Sequence, residues 1–173
     1  YSSPIQVGSL TNWSILATGS GAAAIKSNGT LWMWGDGNSG RLGNGTTISY
    51  SSPIQIGTSS WTFLSACNGS VGGGYITLIR NDNTVWGWSY FLAPTYISNP
   101  TLISSSGPNN FSKVYPGDSA YGALDYNGNL FGCGYNGHGQ LGQGNTTDHY
   151  YTFVPIIKNG NQFFTDFDVW GQD

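Results

Sequence analysis

Hydrophobic residues fall in short runs of four or five along this chain, rich in aromatic and β-branched side chains. Clusters of Gly, Ser, Asn and Thr separate them. Such runs predict short strands rather than helices. In the first part of the chain four are predicted: Trp13 to Ala17, Ala22 to Lys26, Thr30 to Trp34 and Pro53 to Ile56. Asn28-Gly29 between the second and third suits a tight hairpin of type I′, in which both central residues need positive φ. Tyr126-Asn127-Gly128-Asn129 repeats that chemistry, and Asp82-Asn83 provides a tolerable substitute. The prolines suit the first position of a strand, where no ladder donor is lost.

The pattern recurs about every fifty residues. Ser2-Ser3-Pro4-Ile5-Gln6-Val7-Gly8 returns as Ser51-Ser52-Pro53-Ile54-Gln55-Ile56-Gly57, then as Ser98-Asn99-Pro100-Thr101-Leu102-Ile103, and last as Phe153-Val154-Pro155-Ile156-Ile157. Trp13-Ser14-Ile15-Leu16 matches Trp61-Thr62-Phe63-Leu64, Phe111-Ser112-Lys113-Val114 and Phe164-Thr165-Asp166-Phe167. Gly40-Arg41-Leu42-Gly43-Asn44-Gly45 matches Gly139-Gln140-Leu141-Gly142-Gln143-Gly144. Four strands per period describe one propeller blade, which cannot bury both faces alone and must stack on neighbours. The expected fold is therefore all-β, with β-propeller blades of four antiparallel strands and about 3.5 blades. Repeats are placed at about 9–57, 58–104 and 105–159, with a partial repeat at 160–173 and residues 1–8 as the last strand of a preceding blade. Trp13, Trp32 and Trp34 are expected to pack between blades.

Composition sharpens this picture. Gly, Ser, Asn and Thr make up nearly half of the 173 residues, charged residues are 8 %, and Glu is absent. Scarcity of good helix formers argues against a helical bundle or an α/β fold. Aromatic residues at 15 % argue against plain disorder. The five cations, Lys26, Arg41, Arg80, Lys113 and Lys158, are scattered singly. Nucleic acid is thus a poor partner, and membrane insertion is not expected, since no apolar run approaches ~20 residues.

The run Leu31-Trp32-Met33-Trp34-Gly35-Asp36-Gly37-Asn38-Ser39-Gly40-Arg41-Leu42-Gly43-Asn44-Gly45-Thr46-Thr47, closed by Ser52-Pro53-Ile54-Gln55-Ile56, resembles one repeat of the regulator-of-chromosome-condensation family. Leu130-Phe131-Gly132-Cys133-Gly134 through Gly139-Gln140-Leu141-Gly142 resembles it too, whereas the middle copy keeps Val85-Trp86-Gly87-Trp88 and loses the Gly-rich loop. The resemblance implies a propeller, usually of seven blades. It also implies a role as exchange factor for small GTPases, enzyme inhibitor, sensor, or module of bacterial surface and phage proteins. About half of such a ring is present, so either a longer polypeptide or a second copy is expected to complete it.

Candidate chemistry is sparse. His138 and His149 are the side chains that could act as bases near neutral pH, and both lie in or near the third Gly-rich loop. Asn81-Asp82-Asn83 and Asp166-Phe167-Asp168 lack the ligand pattern of a calcium loop. Gly19-Ser20-Gly21-Ala22-Ala23-Ala24 sits between strands, with no helix start to hold a pyrophosphate. Cys67 and Cys133 fall at different places in the repeat and are expected to remain unpaired. Six N-x-S/T sequons suit a chain of this composition. No enzyme activity, metal or cofactor is expected.

The leading expectation is a structural or protein-interaction module on an extracellular or virion surface, such as that of a phage. The warrant is low charge in a Gly-, Ser-, Thr- and Asn-rich chain. The alternative is a secreted inhibitor or exchange-type regulator gripping one protein. Partners are expected to be other protein chains, copies of itself or other virion components. Two candidate contact surfaces are expected, the first weighed against the reading that Phe91 and Leu92 extend a strand and fold back onto their own blade. In the middle repeat, Tyr90, Phe91, Leu92 and Tyr96 replace the polar loop with apolar side chains. The Gly-rich loops offer Asp36, Arg41, Tyr135 and His138.

Overall fold

The computed structural model describes residues 9, 11–19, 21–68, 74–89, 97–103, 110–117 and 120–156. They form three four-stranded antiparallel sheets. Blade 1 comprises β1 (Trp13–Thr18), β2 (Gly21–Lys26), β3 (Leu31–Gly35) and β4 (Tyr50–Gln55). Blade 2 comprises β5 (Trp61–Asn68), β6 (Gly74–Arg80), β7 (Val85–Ser89) and β8 (Ile97–Leu102). Blade 3 comprises β9 (Phe111–Pro116), β10 (Ala120–Asp125), β11 (Leu130–Gly134) and β12 (His149–Pro155). In each sheet the strands neighbour one another in chain order, as in an up-and-down blade. These are the all-β, four-stranded blades that the period predicts. Residues 1–8 and 157–173, where flanking partial blades are expected, lie outside the described residues.

The hairpins differ in detail from the expected turn. Lys26 N–H bonds to Thr30 O at 3.0 Å and Gly29 N–H to Lys26 O at 2.8 Å. Of the loop residues Ser27, Asn28 and Gly29, only Gly29 has positive φ, at 82°. This is a three-residue loop, a type I turn followed by one left-handed residue, rather than a two-residue type I′ turn. Arg80 to Thr84 and Asp125 to Asn129 close the same way, with Asn83 (φ 62°) and Gly128 (φ 74°) left-handed. Asn28 Oδ1 accepts from both Thr30 N–H and Thr30 Oγ1, and Thr30 Oγ1 in turn accepts from Trp32 Nε1 at 3.0 Å. Asp82, Thr84 and Trp86 repeat the relay.

Two expectations about proline are corrected. Pro53 and Pro100 sit inside β4 and β8 rather than at their starts. Both strands are sheet edges, and the pairing of each with its neighbour carries a register shift, so the missing N–H leaves no ladder bond unmade. Backbone bonds Ile56→Leu31, Ile103→Val85 and Ile156→Leu130 then align the fourth strands. By that alignment Phe153, not Pro155, stands where Pro53 and Pro100 stand.

Blades pack face to face. Ala23, Ile25, Leu31, Met33, Leu42 and Ile56 of blade 1 meet Trp61, Leu64, Ile76, Leu78 and Trp88 of blade 2 in one buried cluster. A second cluster joins Ile79, Val85 and Ile103 of blade 2 to Phe111, Val114, Tyr121, Ala123, Phe131 and Cys133 of blade 3. Each blade thus has a leading face, turned to the blade before it, and a trailing face, turned to the blade after it. Strand alternation assigns the faces. Leu16, Ala24 and Trp32 are cross-strand neighbours, as are Thr18, Ala22 and Trp34, so these share the leading face of blade 1.

Trp13, Trp32 and Trp34 therefore lie on the face turned away from blade 2; residues 1–8, where the strand of a preceding blade is expected, lie outside the described residues. They are half-buried and pack on one another, with Trp13 lying 6.1 Å from Trp32 and 6.2 Å from Trp34 between ring centroids. Lys26 lies 3.6 Å from the Trp32 ring centroid, a cation–π contact repeated by Arg80 over Trp86. Their repeat equivalents in blade 2 behave as expected: Trp61 and Trp88 are buried between blades, and Trp86 packs against them. Cys67 is partly buried and Cys133 buried, and no disulfide joins them.

Candidate functional site

Gly35 pairs with both Gly21 and Tyr50, so the β1–β2 turn and the long β3–β4 loop share one end of blade 1. Gly134 pairs with Ala120 and His149 in blade 3 and places its loop likewise. The Gly-rich loops thus decorate one end of the blades, and the Asn-containing hairpins the other.

The two loops share a frame. Leu42 and Leu141 are buried beneath them. Gly37 N–H bonds to Ser49 Oγ at 3.1 Å, and in loop 3 Asn136 N–H bonds to Asp148 Oδ1 at 2.7 Å. Loop 3 adds a hub. The fully buried Asn136 side chain accepts from Leu141 N–H at 2.8 Å through Oδ1 and donates through Nδ2 to Asn145 O at 2.9 Å. Loop 1 has glycine at the corresponding position. It is braced instead by Asp36, whose Oδ1 accepts from Asn38 N–H and whose Oδ2 pairs with Arg41 Nη1.

Loop 1 is latched to blade 2. Trp88 Nε1 donates to Arg41 O at 2.8 Å, and Gly45 N–H donates to Ser98 O at 2.8 Å. Gly40, Gly43 and Gly45 admit Ser98, the Trp88 ring and Asn99 respectively, because a Cβ on any of them would meet those residues. Among the expected contact residues, Asp36 and Arg41 therefore bind each other and brace this latch. They are partly buried rather than freely presented.

In loop 3 the expected pair comes together. Tyr135 and His138 meet edge to face with ring centroids 5.9 Å apart, His138 exposed and Tyr135 half-buried. Beside them stand Asp148, the acidic residue that the sequence places next to His149, and Tyr150, which sequence reading missed. Tyr150 Oη donates to Asp148 Oδ2 at 2.9 Å, and this bond pushes the phenol's pKa up from its ordinary value. Tyr150 and Tyr151 are both exposed on the edge strand β12. Adjacent tyrosines opening a repeat's fourth strand, where blade 1 has Tyr50-Ser51, were the available signal. The other expected surface, Tyr90, Phe91, Leu92 and Tyr96, lies outside the described residues. Among the described residues no three His, Cys or Asp side chains gather as metal ligands would, and no helix is long and apolar enough to cross a membrane.

The model of the Regulator of chromosome condensation (RCC1) repeat matches residues 28–77 and 127–166, just over half of the chain. Human WBSCR16 shares the fold with a TM-score of 0.71 at 22 % identity, over 92 % of this chain and 42 % of that protein. Prp20p of Saccharomyces cerevisiae, described for its binding to Gsp1p and histones, superposes with a TM-score of 0.65 at 15 % identity, over 86 % of this chain and 39 % of its own. Yeast RCC1 (Prp20) bound to Kap60 gives 0.71 at 16 % identity, over 95 % and 42 %. The chain spans about two fifths of the length of each of these structures.

Proposed function

Because the chain belongs to the regulator of chromosome condensation (RCC1) repeat family, we propose that it is a non-catalytic propeller module that binds another protein through the end carrying the Gly-rich loops. One observation carries this reading. Loop 3 presents Tyr135, His138, Asp148 and Tyr150 together on a frame fixed by the buried Asn136. Tyrosine offers large contact area at low entropic cost, and a prefixed loop does not have to be ordered on binding. Low charge and the absence of Glu support an extracellular or virion-surface setting.

A second reading is favoured by the partners of the structural neighbours. Prp20p binds Gsp1p and histones, and yeast RCC1 binds Kap60. A regulator that grips one protein partner, with exchange on a small GTPase as its activity, fits them.

Alanine replacement of His138, Asp148 and Tyr150 together is the test, scored on binding to the partner recovered with the immobilised chain. Binding should fall at least tenfold, while Tyr126→Ala, exposed at the hairpin end, leaves it unchanged. The reverse pattern refutes the docking end assigned here. Accelerated nucleotide release from a GTPase partner would select the second reading.

A further inference from the structure

Loop 1 and the fourth strands of blades 1 and 2 border a cleft of about 460 Å³ at the junction of the two blades. Every lining residue falls between Gly43 and Pro100, inside a pair of blades whose four strands are all present. The lining has two components. The first is polar. Asn44 comes from loop 1, Gln55 from the end of β4, Ser59 from the link that follows, and Asn99 from β8. Asn44 Oδ1 accepts from the N–H and the hydroxyl of Thr46, and Gln55 Nε2 donates to Gly57 O at 3.1 Å. That leaves Asn44 Nδ2, Gln55 Oε1 and the whole Asn99 amide without partners among the described residues. The Asn99 amide is seated against Gly45, where a Cβ would stand 3.3 Å from its Oδ1. The second component is aromatic. Trp61 and Trp86 line the cleft with ring centroids 6.1 Å apart and planes at 81°. Trp86 Nε1 donates to Thr84 Oγ1 at 2.8 Å, which fixes that ring, while the buried Trp61 Nε1 has no acceptor among the described residues.

We propose that this cleft binds a neutral carbohydrate. Its volume falls in the range of small-molecule sites, roughly 300–1,000 Å³. None of the lining residues is charged, so an ionic ligand finds no counter-charge there. A wholly apolar ligand would strip water from the amides and leave them unpaired. A sugar suits both components. Its hydroxyls donate and accept, as the open amide groups require. Its C–H faces carry partial positive charge and pack against indole, whose π surface is negative. The rings and the Asn99 amide are held in place before any ligand arrives, so little ordering remains to be done on binding. The cleft shares no residue with the loop 3 surface, and its occupant is separate from the protein partner assigned there.

The test is titration of the full chain with the methyl glycosides of glucose, galactose, mannose and N-acetylglucosamine, read on the tryptophan indole N–H resonances. At least one glycoside should shift Trp61 and Trp86 saturably, with a dissociation constant of about 1 mM or tighter. Trp13, on the face turned away from blade 2, should stay unmoved. Gln55 and Asn99 are exposed, so Gln55→Ala and Asn99→Ala should each keep the circular dichroism of the parent. Each should weaken binding by about fivefold, the worth of one hydrogen bond. Glucuronic acid, an anionic sugar, should bind no better than the neutral glycosides. The inference is overturned by the absence of a saturable shift with any of these glycosides, by a shift that survives both alanine variants, or by a preference for glucuronic acid. A shift produced by a proline-rich peptide and by no glycoside also overturns it, and assigns the cleft to a protein segment.

Discussion

Trp88 of blade 2 packs against Gly43 of blade 1, and its indole N–H reaches Arg41 O at 2.8 Å. A Cβ on Gly43 would stand 2.6 Å from Trp88 Cε2, and φ is +66°. The glycine is therefore required twice, by backbone conformation and by close approach.

Gly43→Ala should consequently destabilise the fold by about 2–4 kcal/mol, combining overpacking with left-handed strain. Gly144→Ala has similar φ but open space and should lose only about 1–2 kcal/mol. Urea unfolding of the two variants checks the difference. Equal losses would mean that Trp88 does not press on Gly43.

Asn136→Ala removes an acceptor from Leu141 N–H and a donor from Asn145 O at a fully buried site. The expected loss is about 2–4 kcal/mol, because buried partners are left unsatisfied. Thermal melts measure it. A loss below about 0.5 kcal/mol would remove Asn136 as the hub of loop 3.

Burial pushes the Cys133 thiol up to about 12, while Cys67 is only partly buried. A thiol reagent at pH 8 should modify Cys67 first and leave Cys133 untouched until the chain unfolds. Mass spectrometry after a timed pulse reads the order. Early labelling of Cys133 would contradict its burial between blades 2 and 3.

Arg80 beside Asp82 holds that carboxyl well below the usual carboxylate range, helped by two bonds from Thr84. A depressed folded-state pKa stabilises the fold above the unfolded value of about 3.9, and that contribution fades as pH falls toward the folded value. Asp82 is exposed and Arg80 partly exposed, so solvent screening keeps the energy small. Carboxyl chemical shifts are the sensitive observable. Asp82 should still be ionised at about pH 3, and Arg80→Gln should raise its titration toward the ordinary range, leaving the part that the Thr84 bonds contribute.

The sheets were legible because their determinants are local. Short apolar runs, hairpin asparagines and a period near fifty specify strand, turn and blade without reference to distant residues. The faces were not. Alternation along Leu31-Trp32-Met33-Trp34 shows that two residues point each way, but only the stacking order shows that Leu31 and Met33 meet blade 2. The Pro155 alignment failed because β12 has the required residue, Phe153, two positions earlier, and composition favoured the proline. Arg41 read as a surface cation, whereas its carbonyl serves Trp88 and its guanidinium serves Asp36. Tyr150 escaped notice because its approach to Tyr135, through Asp148, depends on a fold-back of twelve residues from Asn136 to Asp148.

The tryptophan that completes loop 1 is encoded some forty-five residues after the glycine that receives it. On a ribosome adding about 5–20 residues per second, blade 1 can pair its own four strands before Trp88 has emerged. Its Gly40–Gly45 loop then waits several seconds for a lid that belongs to the next blade. Each blade emerges with a finished sheet and an unfinished top, and it is the arrival of its successor that locks it.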